Sequence, residues 1–271
     1  MIRLAIRVSR DRAELVLADL AELAPAGLEE RDVDAGTVEY AIYGAPGELP
    51  SLPDLEAAAG GALVEVSTTE LADDWDVRWR TWHPAVVVEA GGRTLRVRPP
   101  WEEPQPGAID VAIEPAQAFG TGAHETTRLS LLLLMGLMPA GALADWGCGS
   151  GVLAIAAAKL GFAPVLACDV EEASVVATRQ GARDNGVPVE VSRCDLRRAP
   201  GPWAPTVTAN LVRPLLLEVA QNLDRPPERL VASGLLRPEA DEVAAAFAAR
   251  GMAETDRREG SEWSALLLEA R

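Results

Sequence analysis

Lysine is nearly absent from this chain: Lys159 is the only one, and arginine supplies the rest of the 25 basic residues. Basic charge is scarce overall, with 25 Lys+Arg against 41 Asp+Glu and a formal net charge of −16. That balance lacks the basic footprint of a general nucleic-acid binder. There are only three cysteines (Cys148, Cys168 and Cys194) and two histidines (His83 and His124). None of the thiols stands in C-x-x-C spacing, which argues against a structural zinc site or a disulfide framework and for a reduced compartment. The three thiols are therefore read as small buried hydrophobes. Long apolar runs are missing too. The longest, 129–138, is far short of the roughly 20 residues that cross a bilayer. Residues 1–8 are too short and too charged for a secretory leader. Internal repeats and low-complexity stretches are absent. These gaps lead us to expect a cytoplasmic protein with no membrane contact and no bound metal.

The 271 residues, 48% of them hydrophobic, suit one large or two ordinary domains. At the start, Ile2, Leu4, Ile6 and Val8 alternate with polar or small residues, as in a half-buried strand. Residues 11–24 carry apolar side chains at helical spacing, with Gly27 as a stop. Strand-like runs at 28–33 and 37–43 flank Asp34-Ala35-Gly36, a short helix is expected near 54–59, and 62–67 reads as another strand. The order βαββαβ predicts a ferredoxin-like α+β domain over residues 1–69. Residues 70–107 follow as a connecting segment. Trp75, Trp79 and Trp82 lie on one face of a predicted helix, and a hairpin turns around Gly91-Gly92.

From residue 108 to 271 strand and helix signals alternate. Strands are expected at 142–146, 165–169, 189–192, 206–210, 229–233, 252–255 and 264–269. Helices are expected at 152–160, 172–185, 214–223 and 238–250. This pattern predicts an α/β domain with a seven-stranded doubly wound sheet. The last two strands have no helix between them, so they should form an antiparallel hairpin.

The strongest chemical signal is Asp145-Trp146-Gly147-Cys148-Gly149-Ser150-Gly151, where a strand turns into a helix. Glycines let the backbone come close to a ligand, and the helix start presents free N–H groups. The G-x-G-x-G spacing differs from the G-x-G-x-x-G of dinucleotide sites, because Val152 stands where the third glycine would be. That weakens a nicotinamide dehydrogenase reading. Asp169 ends the next strand, placed to accept hydrogen bonds from ribose hydroxyls. Asp195 follows the third strand, where it can meet an adenine amino group. Asn210 ends the fourth at the ligand-binding edge, unless it caps the following helix. Upstream, Phe119-Gly120-Thr121-Gly122-Ala123-His124-Glu125-Thr126-Thr127 forms a glycine loop leading to Thr126 and Thr127 as caps of a helix over 128–138. His124 is a candidate base with no partner nucleophile in view.

Together FGTGAHETT (119–127), DWGCGSG (145–151), Asp169 and Ala209-Asn210-Leu211 resemble the class I S-adenosylmethionine-dependent methyltransferases. More narrowly, they resemble the PrmA-type ribosomal protein methyltransferases. Asp73-Asp74-Trp75 and the closing Gly260-Ser261-Glu262-Trp263 share the likeness. The resemblance implies S-adenosyl-L-methionine as cofactor, contacted by Phe119, Thr121, Thr127, Gly147, Gly149, Asp169, Asp195 and Asn210. Asn210 is also the candidate catalytic residue. It further implies methylation of lysine side chains and an α-amine of a basic large-subunit ribosomal protein, recognised by the N-terminal domain. The expected enzyme is a monomer without direct nucleic-acid contact. An RNA methyltransferase, another protein methyltransferase or a non-catalytic cofactor-binding module are the alternatives. Residues 1–70 hold 14 acids against 5 arginines, a net of −9. More than half of the charge thus lies in the domain expected to dock a basic protein.

Overall fold

The computed structural model describes residues 2–13, 16–17, 20, 23, 29–34, 36–44, 49–70, 83–115 and 124–271. The chain divides into two compact units, Met1–Trp82 and His83–Arg271.

In the first unit, β1 (Ile2–Ser9), β2 (Glu29–Asp32), β3 (Thr37–Gly44) and β4 (Leu63–Glu70) form an antiparallel sheet in the order β2-β3-β1-β4. Strand alternation puts Leu4, Ile6, Val8, Tyr40 and Ile42 on one face. They are buried there with Leu55 of α1 (Leu52–Ala59). Of the segment 11–24, Ala13, Val16 and Leu20 join this core at the expected helical spacing. On the other face the carboxylate of Glu39 accepts from Arg3 at 2.7 Å, Arg7 at 2.9 Å and Arg31 at 3.0 Å. Burial pushes the Glu39 carboxyl up, but the guanidiniums outweigh it and hold the pKa below the ordinary value. The Trp75, Trp79 and Trp82 helix lies outside the described residues.

The second unit opens with β5 (Val86–Ala90) and β6 (Arg93–Arg98), the expected hairpin. A third strand, β7 (Ile109–Ala112), pairs parallel to β6 and was not foreseen. Four residues with one fully buried side chain, Val111, carry too short a pattern to read. Asn185 fixes β7 from outside, accepting from Ala112 N at 2.9 Å and donating to Ala112 O at 2.7 Å. The prolines at 99, 100, 104 and 106 mark a loop at the end of the expected connecting segment 70–107. Arg98 nonetheless bonds Asp110 across it at 2.9 Å, so a division at 107 would fall within this small sheet.

The large sheet comprises β8 (Leu143–Trp146), β9 (Val165–Asp169), β10 (Glu190–Arg193), β11 (Thr206–Asn210), β12 (Arg229–Leu236), β13 (Met252–Glu259) and β14 (Trp263–Ala270). Their order is β10-β9-β8-β11-β12-β14-β13, and β14 runs antiparallel to both neighbours, as expected. One face is covered by α2 (Glu125–Gly136), α3 (Val152–Leu160) and α4 (Glu172–Asp184). The other face is covered by α5 (Arg213–Gln221) and α6 (Ala240–Ala248). Leu143 and Ala144 show the alternation, one in each core. The strand β13 runs four residues past the expected 252–255. Its extension, Asp256–Glu259, reads as a loop from its charges, yet charges are normal on an edge strand.

Candidate functional site

Ligands in open α/β sheets bind beyond the carboxyl ends of the strands, where the strand order reverses. Here β8 stands between β9 and β11, and a cavity of about 270 Å³ opens at their ends. At the end of β8 the chain turns through Gly147, Gly149 and Gly151, all with positive φ. The amides of Gly147 and Cys148 both donate to Cys168 O, at 2.8 and 3.0 Å, which folds the turn back over β9. Gly147 needs its missing Cβ twice over. Its φ is +74°, and a Cβ would stand 2.3 Å from Leu211 Cδ2. Thr178 Oγ1 donates to Gly149 O at 3.0 Å from α4, holding the outer limb.

The carboxylate of Asp169 accepts from Gly149 N at 2.9 Å through Oδ2 and from Glu171 N at 3.0 Å through Oδ1. Each oxygen keeps a second lone pair for a ligand hydroxyl. Asp195 accepts from Arg197 N at 3.1 Å and pairs with Arg198 at 3.2 Å. Asn210 Nδ2 donates to Thr127 Oγ1 at 3.5 Å. The helix-cap alternative for Asn210 fails, because Val212 caps α5. Thr127, Gly147, Gly149, Asp169, Asp195 and Asn210 all line the one cavity. Phe119 and Thr121 lie outside the described residues.

Two expectations change here. Thr126 and Thr127 are buried in the first turn of α2 rather than capping it. His124 is the cap: its Nδ1 accepts from Thr126 N, and its ring meets Trp263 edge-on at 5.0 Å. Cys194 is not a buried hydrophobe; it is half-buried and forms part of the cavity wall. Cys148 and Cys168 are buried, and burial pushes the Cys148 thiol up to about 12. Sequence reasoning also missed the apolar walls, Val170, Leu196, Leu211 and Leu215. Three of them directly follow a flagged residue, and that adjacency was the available clue.

Asp145 was quoted only as part of the glycine motif, yet it lies fully buried beneath the turn. It accepts from Thr208 Oγ1 at 2.7 Å and from Ala154 N at 3.2 Å. Burial raises its pKa to about 7, against the pull of these two donors, and the nearby charge of Asp169 adds to the rise. A carboxyl with a raised folded pKa holds its proton more tightly in the folded chain than in the unfolded one. Its contribution to stability therefore falls as pH rises from about 4 to about 7, then levels off. The effect is on the order of a few kcal/mol. Asparagine reproduces the neutral acid, accepting from Ala154 N and donating to Thr208 Oγ1. Asp145→Asn is expected to flatten the slope, so that thermal unfolding favours the variant more at about pH 8 than at about pH 5. An unchanged slope would remove Asp145 as its source.

Residues 14–271 match the family model described as ribosomal protein L11 methyltransferase (PrmA). The chain belongs to the PrmA family. A ribosomal protein L11 methyltransferase of Geobacter metallireducens is 36% identical over 208 residues, 75% of this chain and 68% of that protein. One from Burkholderia vietnamiensis is 31% identical over 276 residues, 90% of each chain. Among solved structures, the ribosomal protein L11 methylase of Lactobacillus delbrueckii subsp. bulgaricus superposes with a TM-score of 0.61. It is 27% identical and covers 68% of this chain and 98% of its own. This PrmA-family chain is accordingly an S-adenosyl-L-methionine-dependent methyltransferase of α/β fold. Its cavity suits that cofactor: the Gly147 turn leaves room for close backbone approach, an acid ends β9, and apolar side chains wall the slot. Among the described residues no helix is long and apolar enough to cross a membrane, and no group of His, Cys, Asp and Glu could hold a metal ion.

Proposed function

We propose that this chain methylates amino groups of ribosomal protein L11, both lysine side chains and an α-amine. The observation that carries the reading is the convergence of Thr127, Gly147, Asp169, Asp195 and Asn210 on one cavity, in a chain that matches the PrmA family from 14 to 271. The first unit would act as a ferredoxin-like recognition domain, joined through a connecting segment to the methyltransferase domain. Its strand order β2-β3-β1-β4 supports that topology, and the net charge of −9 over residues 1–70 suits a basic partner.

When bound, S-adenosyl-L-methionine supplies an electrophilic methyl group on a positively charged sulfur. Asp169 would hold the ribose end, Asp195 would take the adenine amino group, and Val170 and Leu196 would offer the base apolar surface. Gly147 and Gly149 would let the backbone approach the methionine portion. Thr127 orients Asn210, whose Oδ1 is left to accept from the incoming amine. A lysine amine, with a free pKa near 10.4, must shed its proton before it attacks. The apolar walls disfavour the ammonium form, so no dedicated base is required. The chain's contribution is thus orientation and exclusion of water.

Incubation with S-adenosyl-L-methionine and purified L11, read by intact-mass spectrometry, is expected to add successive methyl groups to the protein. Naked ribosomal RNA should take none. Asn210→Ala should lower turnover about tenfold, the scale of one lost hydrogen bond. The KM for L11 should rise with salt. Methylation of RNA but not of L11 would sink the reading.

A further inference from the structure

We propose that Glu125 is a positioning residue for methyl transfer: its carboxylate latches the first turn of α2 to the β13–β14 turn and so sets Thr127 against Asn210. The proposal rests on the site reading given above. Glu125 is the first residue of α2, where an acid ordinarily faces solvent beside the helix N-terminus. Here it spans more than 130 residues of sequence. Oε1 accepts from Ser261 N at 3.0 Å, and Oε2 accepts from Ser261 Oγ at 2.8 Å and Glu262 N at 3.5 Å. The Ser261 backbone bond, ahead of the other contacts, holds the carboxyl below its ordinary pKa.

The turn leaves space for this carboxylate. A Cβ on Gly260 would stand 2.2 Å from Glu125 Cδ, so a larger residue would push the latch open. The neighbours of Glu125 are tied down in the same direction. The His124 ring meets Trp263, and Ser233 Oγ donates to Thr126 O at 3.1 Å. Residues 124, 125 and 126 are thus held by β14, the β13–β14 turn and β12 respectively, and the next residue is Thr127. Its contact with Asn210 is a long 3.5 Å, so it is sensitive to small shifts of the helix end. The rest of α2 is seated in the core through Leu131, Leu133, Leu134 and Met135. The first turn is the part that the latch can set.

The test compares Glu125→Ala, Glu125→Gln, Gly260→Ala and the Glu125→Ala/Gly260→Ala double variant with the parent chain. The readouts are kcat and KM with L11, calorimetric affinity for S-adenosylhomocysteine, and thermal unfolding. Glu125→Ala is expected to lower kcat about tenfold and to weaken S-adenosylhomocysteine by a similar factor, with KM for L11 and the unfolding midpoint held. Glu125→Gln, which keeps a carbonyl acceptor, should recover most of both. The double variant should be no worse than the poorer single one, since both break one contact. Parent-like kcat and affinity in Glu125→Ala would overturn the proposal. So would additive losses, or a loss that glutamine leaves unrepaired and that follows a fall in the unfolding midpoint. If the parent chain transfers no methyl to L11, the substrate reading fails by itself, and the S-adenosylhomocysteine affinities still decide the latch.

Discussion

Asp169→Ala is expected to weaken S-adenosylhomocysteine binding by about 100-fold. In the site reading, the carboxylate accepts from ribose hydroxyls, and each such charge-assisted bond is worth about 1.5–3 kcal/mol. Losing two costs upward of 3 kcal/mol, or about two powers of ten in affinity. Alanine also strips Gly149 N and Glu171 N of their acceptors, so the glycine turn loses a strut as well as the ligand. Asp169→Asn keeps one acceptor oxygen and should fall between the two. Calorimetric titration of the three proteins checks the order. An alanine variant that binds like the parent would place the ribose elsewhere in the cavity.

The other large effect belongs to a residue outside every recognised motif. Gly234 interrupts β12 at a bulge, with φ +85°, and a Cβ there would lie 2.3 Å from Leu211 O. The neighbouring bond, Leu211 N to Ser233 O at 3.0 Å, fixes that loop in place. Both sides of the clash are backbone, so no side-chain rotation relieves it. Gly234→Ala should therefore cost on the order of 3 kcal/mol, left-handed strain plus overpacking. The segment that yields is 210–212, where β11 ends at Asn210 and the chain turns away. Since a misplacement of about 1 Å can cost a hundredfold in rate, turnover should fall by about that factor. Urea denaturation and the rate of methyl transfer to L11 measure the two parts. A destabilised variant with full turnover would show that the bulge supports the sheet and not the site.

Gly234 also marks where reading the chain as a string ran out. The glycine turn, Asp169, Asp195 and Asn210 were legible because each follows from local grammar. A strand ends, and a polar residue at its tip must face the edge where ligands bind. The doubly wound class of the sheet was legible for a related reason, because alternating strands and helices place helices on both faces, but the strand order came only from the structure. The short strand β7 was not legible, because Ile109–Ala112 becomes a strand only by pairing with β6 and bonding Asn185, 73 residues further on. The capping role of Thr126 and Thr127 was misread because sequence cannot tell a threonine that caps from one buried in the next turn. His124, an unusual cap, took the position instead.

Charge shows the same divide. The excess of acid in residues 1–70 is visible in the sequence, and it frames the expectation of a basic protein partner. That Glu39 gathers three arginines, or that Glu125 reaches Ser261, is not visible there. By itself the sequence carried a family resemblance, which implied the cofactor, and it put Asp169, Asp195 and Asn210 at strand tips, because each of these signals is a short local pattern. Only the tertiary structure decided that Asp145 is buried near neutrality, that Leu211 is wedged between Gly147 and Gly234, and that the last hairpin grips the first turn of α2. Each of these is a contact between segments far apart in the chain, created by burial and close packing, and no local pattern encodes which distant atom will arrive.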